Sequence, residues 1–150
     1  MSTTTGTFTW YNKGLGHIVG GTIDLDTADL RVLLTTSAYT PSATTHEFVS
    51  DITNEVTGNG YARASLTGEA KTEVSPGVWM LDSTDPTWTA AGGSIVARYW
   101  VLYAFITNDA ASPLIAYGLL DQTPADVTTT DANVLTYNVP ATGWARWTHV

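Results

Sequence analysis

The sequence predicts a mainly β fold: an antiparallel β-sandwich or flattened barrel with one short N-terminal helix. Three observations carry this reading. Short apolar runs recur between turn signals, as the strands of a sandwich or barrel do. The longest run, Ile95 to Ile106, alternates with period two and is apolar on both faces. Thr makes up roughly a sixth of the chain, and Thr favours strands and turns. The turn spacing suggests about seven to nine strands. The 150 residues fit one domain, read as 8–150 behind a flexible polar tail, 1–7.

Trp10 or Tyr11, Leu15, and Ile18 or Val19 recur at helical spacing, so a helix is expected within 8–19, ended by Gly20-Gly21. Gly14 and Gly16 weaken that helix by about 1 kcal/mol each. Leu30 to Thr35 reads as a strand, and His46 to Ile52 as one short helical turn. Gly58-Asn59-Gly60 marks a tight turn, and Tyr61 to Leu66 a short strand. Ala70–Val74 and Val78–Leu81 flank Ser75-Pro76-Gly77 as a hairpin. Thr84 to Thr89 is an edge strand or ordered loop, because Pro86 has no N–H to give a ladder. Ile95–Ile106 is expected to be a central strand covered on both sides, with Leu114–Leu120 pairing back against it. Residues 124–131 read as a Thr-rich loop, and 134–139 and 143–150 as closing strands.

Composition excludes several functions. Net charge is −8, and the six Lys and Arg are scattered. Binding DNA or RNA requires basic groups that neutralise phosphates, so direct contact with nucleic acid is not expected. The same argument disfavours an anionic membrane surface. There is no Cys, which removes disulfides and thiol chemistry. No apolar run reaches the roughly 20 residues of a spanning helix, and Met1 to Gly6 lacks the features of a secretory signal.

No chemical motif stands out. Asp24, Asp26 and Asp29 lack EF-hand spacing and read as turn formers. His17, His46 and His149 are far apart and form no HExxH pattern. Ser94 lies outside any Gly-x-Ser-x-Gly elbow, and Gly58-Asn59-Gly60 lacks the Lys of a phosphate loop. No catalytic residue, cofactor or metal is therefore assigned. Asp51 and Glu55 are expected to flank Arg63 as a structural ion pair. The aromatic residues are more informative. Trp is common in cores and also dominates interface hot spots. The candidates for partner contact are Trp10, Tyr11, Trp88, Trp144, Arg146 and Trp147.

Several blocks occur in a recognisable order. They are Ile23-Asp24-Leu25, Asp29 to Leu34, Thr36-Ser37-Ala38-Tyr39-Thr40-Pro41, and His46-Glu47-Phe48-Val49-Ser50-Asp51. Asn54-Glu55-Val56, Gly58, Gly60-Tyr61 and Arg63 follow, then Asp82, Asp85, Trp88, and a hairpin from Tyr103 through Ser112-Pro113-Leu114-Ile115-Ala116-Tyr117. The ordered set resembles a family of small tailed-bacteriophage virion proteins and spans about residues 8 to 139. The Gly143-Trp144-Ala145-Arg146-Trp147 segment departs from that family's simpler final strand.

The resemblance implies a non-enzymatic structural protein of the particle, made in the host cytoplasm and present in many copies. The favoured expectation is a capsid decoration, or cement, protein on the outer capsid surface. Its partners would be the major capsid protein and copies of itself, a trimer being one such arrangement. The alternatives are a neck, tail or baseplate component, then a carbohydrate-binding module, then a small hydrolase.

Overall fold

A computed structural model of the protein describes residues 3–4 and 8–148. In chain order the elements are β1 (Thr3–Thr4), β2 (Thr9–Trp10), helix α1 (Asn12–Val19) and β3 (Asp29–Thr35). A 3-10 turn follows at Val49–Asp51, then β4 (Ala64–Ser65), β5 (Ala70–Ser75), β6 (Val78–Asp82) and β7 (Thr87–Thr89). The remainder is β8 (Ile95–Ala97), β9 (Tyr99–Phe105), β10 (Leu114–Leu119), β11 (Val127–Thr129), β12 (Val134–Tyr137) and β13 (Ala145–Thr148). The protein is mainly β, as expected, with a sandwich-like arrangement of mostly antiparallel sheets and one helix. Thirteen strands occur among the described residues, more than turn spacing suggested, because several are only two or three residues long.

The central sheet runs β2-β10-β9-β3-β4 and is antiparallel throughout. Both of its faces are covered. Leu30, Val32, Leu34, Trp100, Leu102, Ala104 and Ile115 join the main core, together with Leu81, Trp88, Leu135, Tyr137 and Trp144. Those partners come from the smaller sheets β1-β12-β7 and β13-β6-β5 and the adjoining loop. Leu33, Val101, Tyr103 and Leu114 enter a second cluster with Tyr11, Tyr39 and Val49. The second cluster is a lid made by the start of α1 and the 36–51 segment. Each Leu or Val fully buried this way contributes about 1.5–3 kcal/mol. This explains why both faces of the 95–106 run had to be apolar.

That run is nevertheless two strands. β8 pairs with β11, whereas β9 lies between β3 and β10. Arg98 is the corner: its N–H donates to Thr35 O, its carbonyl accepts from Leu120 N–H, and its side chain reaches Asp126 at 2.8 Å. β11 corrects the expected loop over 124–131. Val127 and Thr129 turn inward and Thr128 outward, an alternation too short to register as periodic.

The N-terminus also differs. α1 begins at Asn12, because Thr9 and Trp10 pair with Tyr117 and Ala116 as β2. Its packed side is Tyr11, Gly14 and Ile18; Leu15 and Val19 face solvent. Gly14 lies against the Leu114–Ile115 backbone, where a Cβ would run into Leu114 O. The glycine that seemed a cost to the helix is what lets it approach the sheet. Thr3–Thr4, within the expected loose tail, pair parallel with Thr136–Tyr137; the rest of 1–7 lies outside the described residues. The short turn at 46–52, the β5–β6 hairpin and the β9–β10 hairpin are present as read, and β7 is an edge strand. Only Ala64–Ser65 of the expected 61–66 strand is paired.

Candidate functional site

Four of the six candidate contact residues converge where β2 and β13 come together. The segment before β13 is set by Gly143 (φ 73°), whose missing side chain leaves room for Leu81 O and the Met80 side chain. Trp144 N–H then donates to Leu81 O, and the Trp144 indole N–H donates to Ser83 Oγ at 2.8 Å. β13 continues along β6, with Trp147 directly across from Trp79. Trp147 lies against Trp10, ring centroids 5.8 Å apart. Phe8 meets Trp10 edge-on at 4.9 Å, and Trp144 stacks on Tyr137 at 5.2 Å. Aromatic pairs in this range prefer such tilted and offset geometries.

Four of these rings, with Arg146 among others, line an open cleft of about 320 Å³: Phe8, Trp10, Tyr137 and Trp144. Arg146 is exposed at its rim. Among the described residues it is the one Lys or Arg without an ion pair. Lys13 pairs with Glu47, Arg31 with Asp29, Arg63 with Glu55 and Asp109, Lys71 with Asp26, and Arg98 with Asp126. The described lining holds no carboxylate or imidazole. It therefore offers flat apolar faces and a guanidinium that can fork onto a carboxylate.

The remaining candidates lie elsewhere. Trp88 is buried in the main core. Tyr11 is fully buried, and its hydroxyl bonds Tyr39 (2.8 Å), which bonds His46 Nδ1 (2.9 Å). Burial pushes both phenols up, Tyr39 to about 12. Tyr11 and Trp88 are thus packing residues of the folded chain, unavailable to a partner. Trp144 is also buried, at 3% exposure, and shapes the cleft from below. Trp10 is half-buried and Arg146 exposed, so these two present the cleft to solvent, and the half-buried Trp147 backs Trp10 from outside its lining.

The polar constellations are structural. Arg63 forks onto Glu55 (2.8 and 2.7 Å) and onto Asp109 (2.6 and 2.9 Å). Glu55 was expected; Asp51 was not the second acid. Its carboxylate instead accepts the N–H groups of Glu47 and Phe48 and is held below the usual carboxylate range by them. The Asp109 carboxyl is lowered by Arg63. Asp24, Asp26 and Asp29 separate: Asp24 accepts the Asp26 N–H in a turn, Asp26 pairs with Lys71, and Asp29 with Arg31. His17 bonds Glu47 at 3.1 Å. His149 lies outside the described residues. Gly58-Asn59-Gly60 is a left-handed turn whose Asn59 amide donates to Ser94 O.

Nothing in the sequence signalled that Trp10 and Trp147 would meet, since they lie at opposite ends of the chain. Comparison of the chain with family models, with curated proteins and with solved structures finds no match.

Proposed function

We propose that this protein is a non-enzymatic structural component of a tailed-phage particle, and specifically a capsid decoration protein that docks on the major capsid protein. The observation that carries this reading is the aromatic cleft of Phe8, Trp10 and Trp144, flanked by Trp147 behind Trp10 and by Arg146, which has no ion pair among the described residues, at its rim. Interface cores are enriched in Trp, Tyr and Arg, and a few such anchors supply most of the binding free energy. A net charge of −8 supports a station outside the shell, away from packaged DNA. The resemblance of the ordered blocks to those of small virion proteins is a second support for this reading. Docking would bury about 800 Å² on each partner. Contacts repeated over many copies would then add through multivalency.

Copy number separates this reading from a neck, tail or baseplate role. Densitometry of purified particles should give hundreds of copies for a shell protein, and about six or twelve for a component on the tail axis. Particles lacking the protein should release DNA at lower temperature or under milder osmotic shock. Unchanged particle stability would count against cementing.

The half-buried Trp10–Trp147 pair favours one second reading, a carbohydrate-binding module in which these rings stack on a sugar. Binding of the isolated chain to a glycan array, lost on Trp10→Ala, would support that reading instead.

A further inference from the structure

We propose that the outer edge of β5 pairs with the same edge of a second copy, across a two-fold axis centred on Thr72. This contact is separate from the cleft and does not rest on the virion reading.

β5 is the outer strand of the three-stranded sheet β13-β6-β5, and among the described residues nothing pairs with its far side. All six of its residues are exposed, while Lys71 reaches back to Asp26 and Leu81 of β6 anchors the hairpin in the core. Val74 and Trp79, near its tip, are each 41% exposed. An edge of this kind is a template for strand addition unless something blocks it.

A central Lys and a bulge are common blocking devices, and both occur here. The ladder with β6 is regular from Ala70 to Glu73 and shifts register only beyond it. The regular stretch therefore reads Ala70-Lys71-Thr72-Glu73. Its charge pattern is self-complementary under one operation. In an antiparallel pair centred on Thr72, Thr72 faces its own copy, and Lys71 of each strand faces Glu73 of the other. Opposite charges and Thr pairs directly across strands are stabilising arrangements. Lys71 would block a foreign edge, but this register gives it an acid twice over.

Both side chains have capacity left for a second contact. Lys71 Nζ carries three donors, and Asp26 Oδ2 takes one of them at 2.8 Å. Glu73 Oε1 accepts the Gly77 N–H at 3.0 Å, leaving lone pairs on both oxygens. The result would be a continuous six-stranded sheet, with the isologous contact a two-fold axis requires. Edge pairing over so few residues buries less than the roughly 1,200 Å² of a stable complex. The dimer is therefore weak in free solution and gains strength wherever copies are held close together.

Sedimentation velocity of the full chain, over about 1 µM to 1 mM, tests this. The wild type should show a concentration-dependent monomer–dimer equilibrium. Lys71→Glu and Glu73→Lys should each weaken it by about tenfold or more, because each places like charges across the axis twice. The double variant Lys71→Glu/Glu73→Lys should restore it. Mixing the two single variants should form a heterodimer, since each then faces its opposite. Circular dichroism of each variant should match the wild type, which separates lost association from lost folding. A wild type that stays monomeric throughout would overturn the proposal. So would a dimer indifferent to the single reversals, or single variants that fail to associate when mixed.

Discussion

Trp144 and Arg146 are two residues apart, yet one is buried and the other exposed. Trp144 is 3% exposed and wedged among Trp100, Tyr137 and the cleft, with its indole N–H bonded to Ser83. Trp144→Ala should therefore cost about 3–5 kcal/mol of folding stability in urea denaturation, as truncations of buried aromatics do. Arg146 has no described ion pair and is exposed, so Arg146→Ala should change stability by less than about 0.5 kcal/mol. Its effect should appear only in partner binding. Arg63 is the opposite case, a cation held by two carboxylates. Arg63→Met should cost about 1–2 kcal/mol, because Glu55 and Asp109 lose their counter-charge at a site that water partly screens. Asp109 and Asp51 both titrate below their ordinary value in the folded chain. The unfolded chain then binds more protons than the folded one, so stability is held above about pH 4 and falls as pH drops below it. Arg63→Met should remove the Asp109 share of that acid dependence and leave the Asp51 share.

Among the elements, α1 makes the sharpest prediction. Helix propensity says that Gly14→Ala should stabilise by about 1 kcal/mol. Contact between Gly14 and the Leu114 carbonyl says the reverse. Thermal unfolding should show a loss of about 1–3 kcal/mol, the usual cost of overpacking. The same helix shows why part of the fold was legible and part was not. Periodicity located it and found Tyr11 and Ile18 on its packed side, but took Leu15 for the third position, since Gly14 carries no hydrophobic signal. The β9–β10 hairpin was legible because both strands are long and bounded by Asn108-Asp109 and Ser112-Pro113. β8 and β9 were read as one strand because the partner exchange at Arg98 leaves the alternation unbroken. β11 was hidden by its three-residue length. In the candidate site, the residue types Trp10, Trp144, Arg146 and Trp147 were legible. Tyr11 was misjudged because the partner that satisfies its hydroxyl, Tyr39, is remote in sequence. The second acid on Arg63 was hidden for the same reason, as Asp109 lies on the β9–β10 turn.

At the scale of the whole molecule, the central sheet brings Trp10 on β2 against Trp147 on β13 of the neighbouring sheet, and the cleft lies beside that contact. Burial also gives the protein an alkaline limit. Tyr11, Tyr39 and Tyr61 are all pushed up by burial, so the folded chain keeps protons that the unfolded chain loses from about pH 10. Stability should decline from there, with the Tyr39 share levelling off near 12. Neither limit bears on the central claim, that the protein acts by pressing Trp10, Trp147 and Arg146 against a viral shell. The direct measurement is add-back binding to purified particles that lack the protein, comparing wild type with Trp10→Ala/Arg146→Glu, a variant checked for intact folding. Saturable binding by the wild type, weakened by about a hundredfold or more in the variant, is the expected result. Equal binding by both proteins, or none by the wild type, would contradict it.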